Sequence, residues 1–115
     1  MIYSIKKLYY NLINSINGLK IVLKEHSFKI ELYGGIFLIL FLSTSNIENI
    51  FKVLILINYF FLLSFEVINT CIEKISDKIN KKFDIEIKNI KDISSAAVFL
   101  IFITLILNIF FSIVI

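Results

Sequence analysis

The chain has 115 residues, of which 58% are apolar, and it carries a formal net charge of +3. An apolar fraction this large exceeds what a soluble domain of this length can bury, so the composition excludes an ordinary soluble protein and indicates a membrane protein. All 12 strongly basic residues are lysines that flank apolar segments instead of forming one face, which argues against a surface for DNA or RNA. The single cysteine, Cys71, excludes a disulfide within the chain.

The first segment, residues 1–27, has the pattern of an amphipathic helix. Its apolar residues recur every three or four positions from Ile2 to Leu23, while lysines and asparagines mostly occupy the positions between them. This spacing is typical of a helix that lies on a membrane surface. A secretory signal peptide is the alternative, but the apolar residues are periodic rather than continuous and no small-residue cleavage site follows.

Two apolar segments follow, and each is predicted to span the membrane as a helix. The first covers residues 28–46 and reaches the length of a span only when its polar ends are counted. It contains the pair Gly34-Gly35, which would permit close approach of a neighbouring helix. The second covers residues 50–72 and continues as a more polar helix to about residue 79.

The remaining part of the chain is predicted to contain one loop and one further span. Residues 80–89 have mixed charge and are predicted to form a solvated loop. Residues 93–115 are uncharged and long enough to cross the bilayer. The sequence therefore predicts an all-α membrane protein of a single domain, with an N-terminal amphipathic surface helix and three transmembrane helices.

Lysines are concentrated on one side of this predicted topology. Five precede residue 30 and six lie between residues 74 and 91, whereas the turn between the first two spans is flanked only by Lys52. By the positive-inside rule, the amino terminus and the second loop are cytoplasmic and the carboxy terminus is outside. Glu25 and Glu73 then lie at the cytoplasmic side, where ATP is found.

A polar stripe runs along the second half of the second span. At about 100° per residue, five polar side chains fall within an arc of roughly 100°. A carboxylate inside a bilayer costs on the order of 3 kcal/mol, so such residues usually face a protein interior or a wet cleft. The stripe is therefore the candidate site, and it consists of Glu66, Asn69, Thr70, Glu73 and Asp77.

The positions of the carboxylates predict separate roles for them. Glu66 lies about 10.5 Å along the helix from Glu73, too far for both to bind one ion, and its deeper position suits it to meet a lipid hydroxyl. A carboxylate that is partly removed from water is also a stronger base. Glu25 and Glu73 lie near the membrane boundary on different helices, where two carboxylates suit a Mg²⁺ ion that phosphate and water also bind.

Three blocks of the sequence resemble the signature of the small bacterial integral-membrane lipid kinases, the diacylglycerol kinase and undecaprenol kinase family. The intervals between the blocks match as well. The blocks are Glu25-x-x-Phe28-Lys29-x-Glu31, then Glu66-x-x-Asn69-Thr70-x-x-Glu73-x-x-x-Asp77, and Lys91-Asp92-x-x-Ser95-Ala96-Ala97-Val98. The resemblance implies an ATP-dependent kinase of the bacterial inner membrane, acting on a lipid alcohol as a homotrimer with shared active sites.

The resemblance also implies a role for each matched residue. Glu66 is the proton acceptor, and Glu25 and Glu73 are the ligands of the Mg²⁺ ion that accompanies ATP. The residues implied at the nucleotide are Lys91 and Asp92, and those implied at the lipid are Asn69, Ser95, Phe28, Lys29 and Glu31. Asn69 also fits as a hydrogen-bonding organiser of the cleft.

Some positions match the family pattern only in part. Lys6, Lys82 and Asp84 stand where the family contacts the nucleotide, and Ile13 stands where an aromatic residue is expected. Lys6 and Lys29 replace arginines, and a lysine keeps the charge but lacks the planar fork that binds phosphate bidentately. We therefore expect an altered affinity for ATP.

The form of the first block distinguishes between two acceptors. The glutamate at Glu31 resembles the Gram-negative branch of the family more than the form with histidine at this position, which is typical of undecaprenol kinases. The resemblance therefore implies diacylglycerol as the acceptor, with undecaprenol as the alternative.

The same residues also have interpretations without catalysis. Glu66 and Asn69 would join helices in an oligomer, and Glu31 would be an acid packed between helices. Glu73 and Asp77 would pair with lysines at the end of the helix. Lys91-Asp92 would be the solvated start of the third span, and His26 would be an exposed interfacial residue. A small membrane scaffold or pore former would have no use for the carboxylate pair, and Glu73→Gln would leave it functional.

Overall fold

The computed structural model describes residues 1–115 and consists of four helices joined by short turns, which confirms the predicted all-α fold. In chain order the helices are α1 (Ile2–Val22), α2 (His26–Thr44), α3 (Asn49–Ile79) and α4 (Ile85–Val114). Helices α2, α3 and α4 are each long and apolar enough to cross a membrane. The chain contains no proline, which suits helices of this length because proline removes a backbone hydrogen bond inside a helix.

The predicted solvated loop over residues 80–89 is wrong in its second half, because α4 begins at Ile85. The carboxylate of Asp84 caps this helix by accepting the backbone N–H groups of Glu86 at 2.9 Å and Ile87 at 3.2 Å. The mixed charges that follow therefore lie on a helix. Lys88 and Asp92 form an i,i+4 ion pair there at 2.6 Å.

Helix α3 is the centre of the bundle and packs along α4 and, over a shorter length, against α2. The shared core is small, and only Ile55 is completely enclosed. Most other apolar side chains of the spans are exposed, as on helices whose outer faces meet acyl chains or another subunit. The core residues are Leu42, Ile55, Tyr59, Leu62 and Leu105.

A glycine sets the distance between α2 and α3. The hydroxyl of Tyr59 donates to the backbone carbonyl of Glu31 at 2.9 Å, and a Cβ atom on Gly35 would lie only 2.0 Å from that hydroxyl oxygen. The neighbouring Gly34 has open space at the same position. The close approach predicted for the glycine pair therefore depends on Gly35 alone.

Helix α1 lies apart from the bundle. Its side chains are almost all exposed, including the apolar Ile5 and Leu12, and only Val22 at its end is buried. The chain measures 48 by 48 by 22 Å, which is consistent with α1 extending sideways from the bundle. That α1 lies on a membrane surface remains a prediction.

The beginnings of α2 and α4 and the end of α3 lie at the same end of the bundle. We call this end the lysine-rich end, and it includes the α1–α2 turn at residues 23–25 and the α3–α4 loop at residues 80–84. All the ion pairs of the chain lie there. The candidate site residues are therefore best described from this end.

Candidate active site

The polar stripe of α3 faces the interior of the chain over its first half. Glu66, Asn69 and Thr70 are only 5%, 6% and 4% exposed, whereas Ile68 between them is 53% exposed. The helical period of 3.6 residues produces this contrast, because it turns the three polar side chains to one face. Towards the end of α3 the stripe emerges, with Glu73 half-buried and Asp77 exposed.

The carboxylate of Glu66 contacts the first turn of α2. The hydroxyl of Ser27 donates to Oε1 of Glu66 at 2.7 Å. Hydrogen bonds from a hydroxyl to an ionised carboxylate are short and stronger than those between neutral groups. Sequence reasoning did not identify Ser27, although it lies inside the first matched block. Glu31 lies one turn further along α2, on the same face as Ser27.

Asn69 and Glu73 form a second contact within the stripe. The side-chain amide of Asn69 donates to Oε1 of Glu73 at 3.2 Å, one turn apart on α3. The carbonyl oxygen Oδ1 of Asn69 is enclosed and has no hydrogen-bond partner within the chain. Asn69 therefore holds one of the two predicted cation ligands and keeps an unused acceptor beside it.

Glu25 reaches the same level of α3 from the α1–α2 turn. It lies directly before α2, and its Oε1 is 2.7 Å from the ammonium nitrogen of Lys74, the residue after Glu73. Both side chains of this ion pair keep considerable solvent access, so the pair contributes little to stability. One chain thus brings Glu25 to the turn of α3 that carries Glu73.

The donor set formed by Glu25 and Glu73 has the chemistry of a magnesium site that is completed by phosphate. Carboxylate oxygens are hard ligands, and Mg²⁺ usually takes one or two of them together with phosphate oxygens and water. No group of three or more His, Cys, Asp or Glu side chains is placed to hold a metal ion. The residues fit a cation that arrives with a nucleotide better than one held by protein ligands alone.

A polar pocket of about 330 Å³ lies at the lysine-rich end between α3 and α4. Among its lining residues are Lys82, Asp84 and Lys91, three of the residues predicted to contact the nucleotide. The ammonium group of Lys91 is paired with the carboxylate of Asp77, which also lines the pocket. Asp92 is outside the lining and is paired with Lys88.

An apolar groove of about 550 Å³ runs between α2, α3 and α4. Glu31 and Tyr59 line it together with Leu62, which is one turn from Glu66 on α3. Its apolar lining also includes Phe41 and Ile113, which lie near the end of the bundle opposite to the lysine-rich end. Oε2 of Glu31 is enclosed without a hydrogen-bond partner, so one carboxylate belongs to an otherwise almost entirely apolar surface.

Four of the predicted residues stay outside these contacts. Phe28 is buried at 4% exposure and makes no polar contact. Lys6 on α1, Lys29 on α2 and Ser95 on α4 are exposed and have no hydrogen-bond or ion-pair partner in the chain. Within a single chain, Ser27 contacts Glu66, Asn69 contacts Glu73, and Glu25 contacts Lys74. Polar contacts with these residues are not formed by Lys6, Lys29 and Ser95.

Fold and site together define a class of protein: a multi-pass α-helical membrane protein with acid and amide side chains buried at one end of its spans. The chain belongs to the prokaryotic diacylglycerol kinase family, whose model matches residues 13–114. This match confirms the predicted family, which is a family of lipid kinases, and it leaves Lys6 outside the matched range. A comparison with individual curated proteins found no match.

Proposed function

We propose that the chain is an ATP-dependent diacylglycerol kinase that forms phosphatidic acid at the cytoplasmic face of the bacterial inner membrane. The observation that carries this proposal is the order of features along α3. Leu62 lines the apolar groove, and Glu66 is buried one turn further along. Glu73 follows after about two more turns, and Asp77 lines the polar pocket. A lipid groove, a base, a cation ligand and a polar pocket thus follow one another on one helix.

The apolar groove supports a lipid acceptor. Its lining is almost entirely hydrocarbon, and the one carboxylate in it belongs to Glu31. An acyl chain in this groove places the polar headgroup near Glu31 and Glu66, where a free hydroxyl meets the base. Glu31 also favours diacylglycerol, through its resemblance to the Gram-negative branch, and undecaprenol is the alternative acceptor.

Glu66 is the general base in this proposal. It accepts the proton of the acceptor hydroxyl, whose oxygen forms a bond to the γ-phosphorus while the bond from that phosphorus to the β,γ-bridging oxygen breaks and ADP leaves. Glu25 and Glu73 are the residues that would hold Mg²⁺, which offsets the charge of the triphosphate when bound. Asn69 keeps Glu73 in place through its amide.

The polar pocket supports a nucleotide site at the lysine-rich end. Lys82 and Lys91 bring ammonium groups to it, and such groups bind phosphate as point charges. Lys91 is paired with Asp77, and both residues line the pocket. Asp84 caps α4 and fixes the loop that forms one side of the pocket.

A homotrimer with shared sites is part of the proposal. Much of the apolar surface of the spans is exposed in one chain, which is what a subunit interface or acyl chains would cover. Lys6, Lys29 and Ser95 are the predicted site residues that one chain leaves apart. In the trimer, a neighbouring subunit completes the site from the side of these three residues, with the amino terminus cytoplasmic and the carboxy terminus outside.

The proposal is tested with the purified chain in detergent, labelled ATP, Mg²⁺, and diacylglycerol and undecaprenol in competition. We expect label in phosphatidic acid, and a loss of about a hundredfold or more in Glu66→Gln, because a general base contributes roughly 10²–10⁴ in rate. The matched control is Glu48→Gln, which changes an exposed glutamate at the opposite end of the bundle and should keep full activity.

The other outcomes of this competition have defined meanings. Label in undecaprenyl phosphate alone would keep the lipid kinase and replace the acceptor. If neither lipid becomes labelled, the result would contradict the proposed kinase activity and favour a scaffold or pore protein. Equal activity in Glu66→Gln and the wild-type chain would contradict the role of Glu66 as the general base.

A further inference from the structure

The contact of Ser27 with Glu66 differs from the contacts of the other serines. Wherever another serine hydroxyl forms a hydrogen bond in this chain, it donates to a backbone carbonyl three or four residues earlier, as Ser43 does to Leu40. Ser27 alone donates to a side chain, and that side chain lies on another helix. This hydroxyl therefore connects two helices, whereas the others bond within their own segment.

The position of Ser27 in α2 explains why its hydroxyl is free for this contact. Ser27 is the second residue of α2, and α1 has already ended at Val22. No preceding turn of the same helix offers it a carbonyl, which is the usual partner of a serine inside a helix. The hydroxyl is thus available to reach α3, where Glu66 is buried.

We propose that Ser27 is a positioning residue for Glu66: its hydroxyl holds Oε1 so that Oε2 is directed to the acceptor hydroxyl. Ser27 is the only side chain that forms a hydrogen bond with this carboxylate. Oε2 has no partner in the chain and is not among its enclosed unpartnered atoms, so it is not completely shielded from its surroundings. The inference rests on the proposed function and adds to it a residue whose side chain does not itself accept the proton.

Orientation, rather than base strength, is the benefit of this bond. A misplacement of about 1 Å at a reacting group can cost about a hundredfold in rate, so fixing the position of the carboxylate has a large effect. The start of α2 then serves two purposes. Ser27 holds Glu66, and Glu25, just before the helix, contacts Lys74, which is the neighbour of Glu73.

The test compares Ser27→Ala, Ser27→Val and Ser27→Thr in the purified chain, with kcat and the KM for ATP measured separately. Alanine and valine remove the hydroxyl, and we expect kcat to fall about tenfold with the KM for ATP within about twofold. Threonine keeps the hydroxyl at nearly the size of valine, so it should restore kcat to within about threefold of the wild type. Ser43→Ala is the matched control on the same helix and should change neither value.

A double substitution separates positioning from a general structural role. If Ser27 acts through Glu66, then Ser27→Ala should add no further loss in the Glu66→Gln background. Wild-type kcat in both Ser27→Ala and Ser27→Val overturns the inference and leaves the lipid kinase intact. A loss that threonine does not restore, or that adds fully to Glu66→Gln, also overturns it. A wild-type chain without lipid kinase activity overturns the proposed function and the inference together.

Discussion

At the scale of single residues, three charged groups of the candidate site already have ion-pair partners within the chain. Glu25 is paired with Lys74, Lys91 with Asp77, and Asp92 with Lys88. All three pairs are at least partly exposed, and such pairs are weak enough to be exchanged for a ligand. Ligand binding at the lysine-rich end is therefore expected to replace existing ion pairs and not only to add new ones.

The pair between Glu25 and Lys74 leads to a prediction about the cation. The ammonium of Lys74 occupies an oxygen of a proposed Mg²⁺ ligand, so it competes with the ion. We expect Lys74→Gln to lower the Mg²⁺ concentration for half-maximal activity about two- to fivefold, the size typical of an exposed ion pair. The dissociation constant for Mn²⁺, measured directly by electron paramagnetic resonance, should fall by the same factor.

A lysine on the same helix serves as the control for this substitution. Lys78 lies one turn beyond Lys74, is exposed and forms no ion pair. Lys78→Gln changes the net charge by the same amount and should leave the cation requirement unchanged. An equal shift in both variants would indicate a general effect of charge and contradict competition at Glu25.

At the scale of helices, α2 determines what reaches α3. Its first turn and the residue before it supply Ser27 and Glu25, and Gly35, two turns further along, sets how closely the two helices approach. The ring of Tyr59 is buried against Gly35 and is too stiff to move aside easily. The contacts of Ser27 and Glu25 with α3 therefore depend on a packing contact about two turns further along α2.

The glycine pair provides a test of this dependence. Gly35→Ala would place a Cβ atom 2.0 Å from the Tyr59 hydroxyl. We expect it to cost about 1–3 kcal/mol of stability through overpacking. Gly34→Ala meets nothing and should stabilise α2 by up to about 1 kcal/mol, because alanine favours helix over glycine. Thermal unfolding in detergent measures both, and equal effects of the two substitutions would contradict the account of Gly35.

At the scale of the whole molecule, the structure changes what is expected of mixed oligomers. The family resemblance implies that a neighbouring subunit completes the site between Glu25 and the stripe. In the structure, one chain holds Glu25 at the Glu73 turn and Ser27 on Glu66. We therefore expect Glu25 and Glu66 to act within one subunit, and a neighbour to complete the site from the side of Lys6, Lys29 and Ser95.

Mixing two inactive variants tests this division. Glu25→Gln and Glu66→Gln chains, expressed together, should recover almost no activity if both groups act within one subunit. If Glu25 and Glu66 act across an interface, random mixing in equal amounts leaves both intact in about a quarter of the sites. The activity should then recover to about a quarter of the wild-type rate. That recovery would show that the groups come from different subunits, as the resemblance implies.

The sequence determined the helices, the family and the polar face of α3. Apolar length and helical period are local properties, so the spans and the clustering of Glu66, Asn69 and Glu73 follow from residues near one another in the chain. The start of α4 is also encoded locally, by Asp84 as its cap, although the mixed charges that follow it have no apolar period and predict a loop.

Only the tertiary structure decided which of these side chains meet. The two members of each pair come from different segments, far apart in sequence: Ser27 and Glu66, Glu25 and Lys74, and Gly35 and Tyr59. Their contacts depend on the distance and rotation at which α2 packs on α3, and no periodicity within one helix specifies these. For that reason, the sequence does not distinguish Ser27 from the other serines, and its contact with Glu66 is visible only in the packing of α2 on α3.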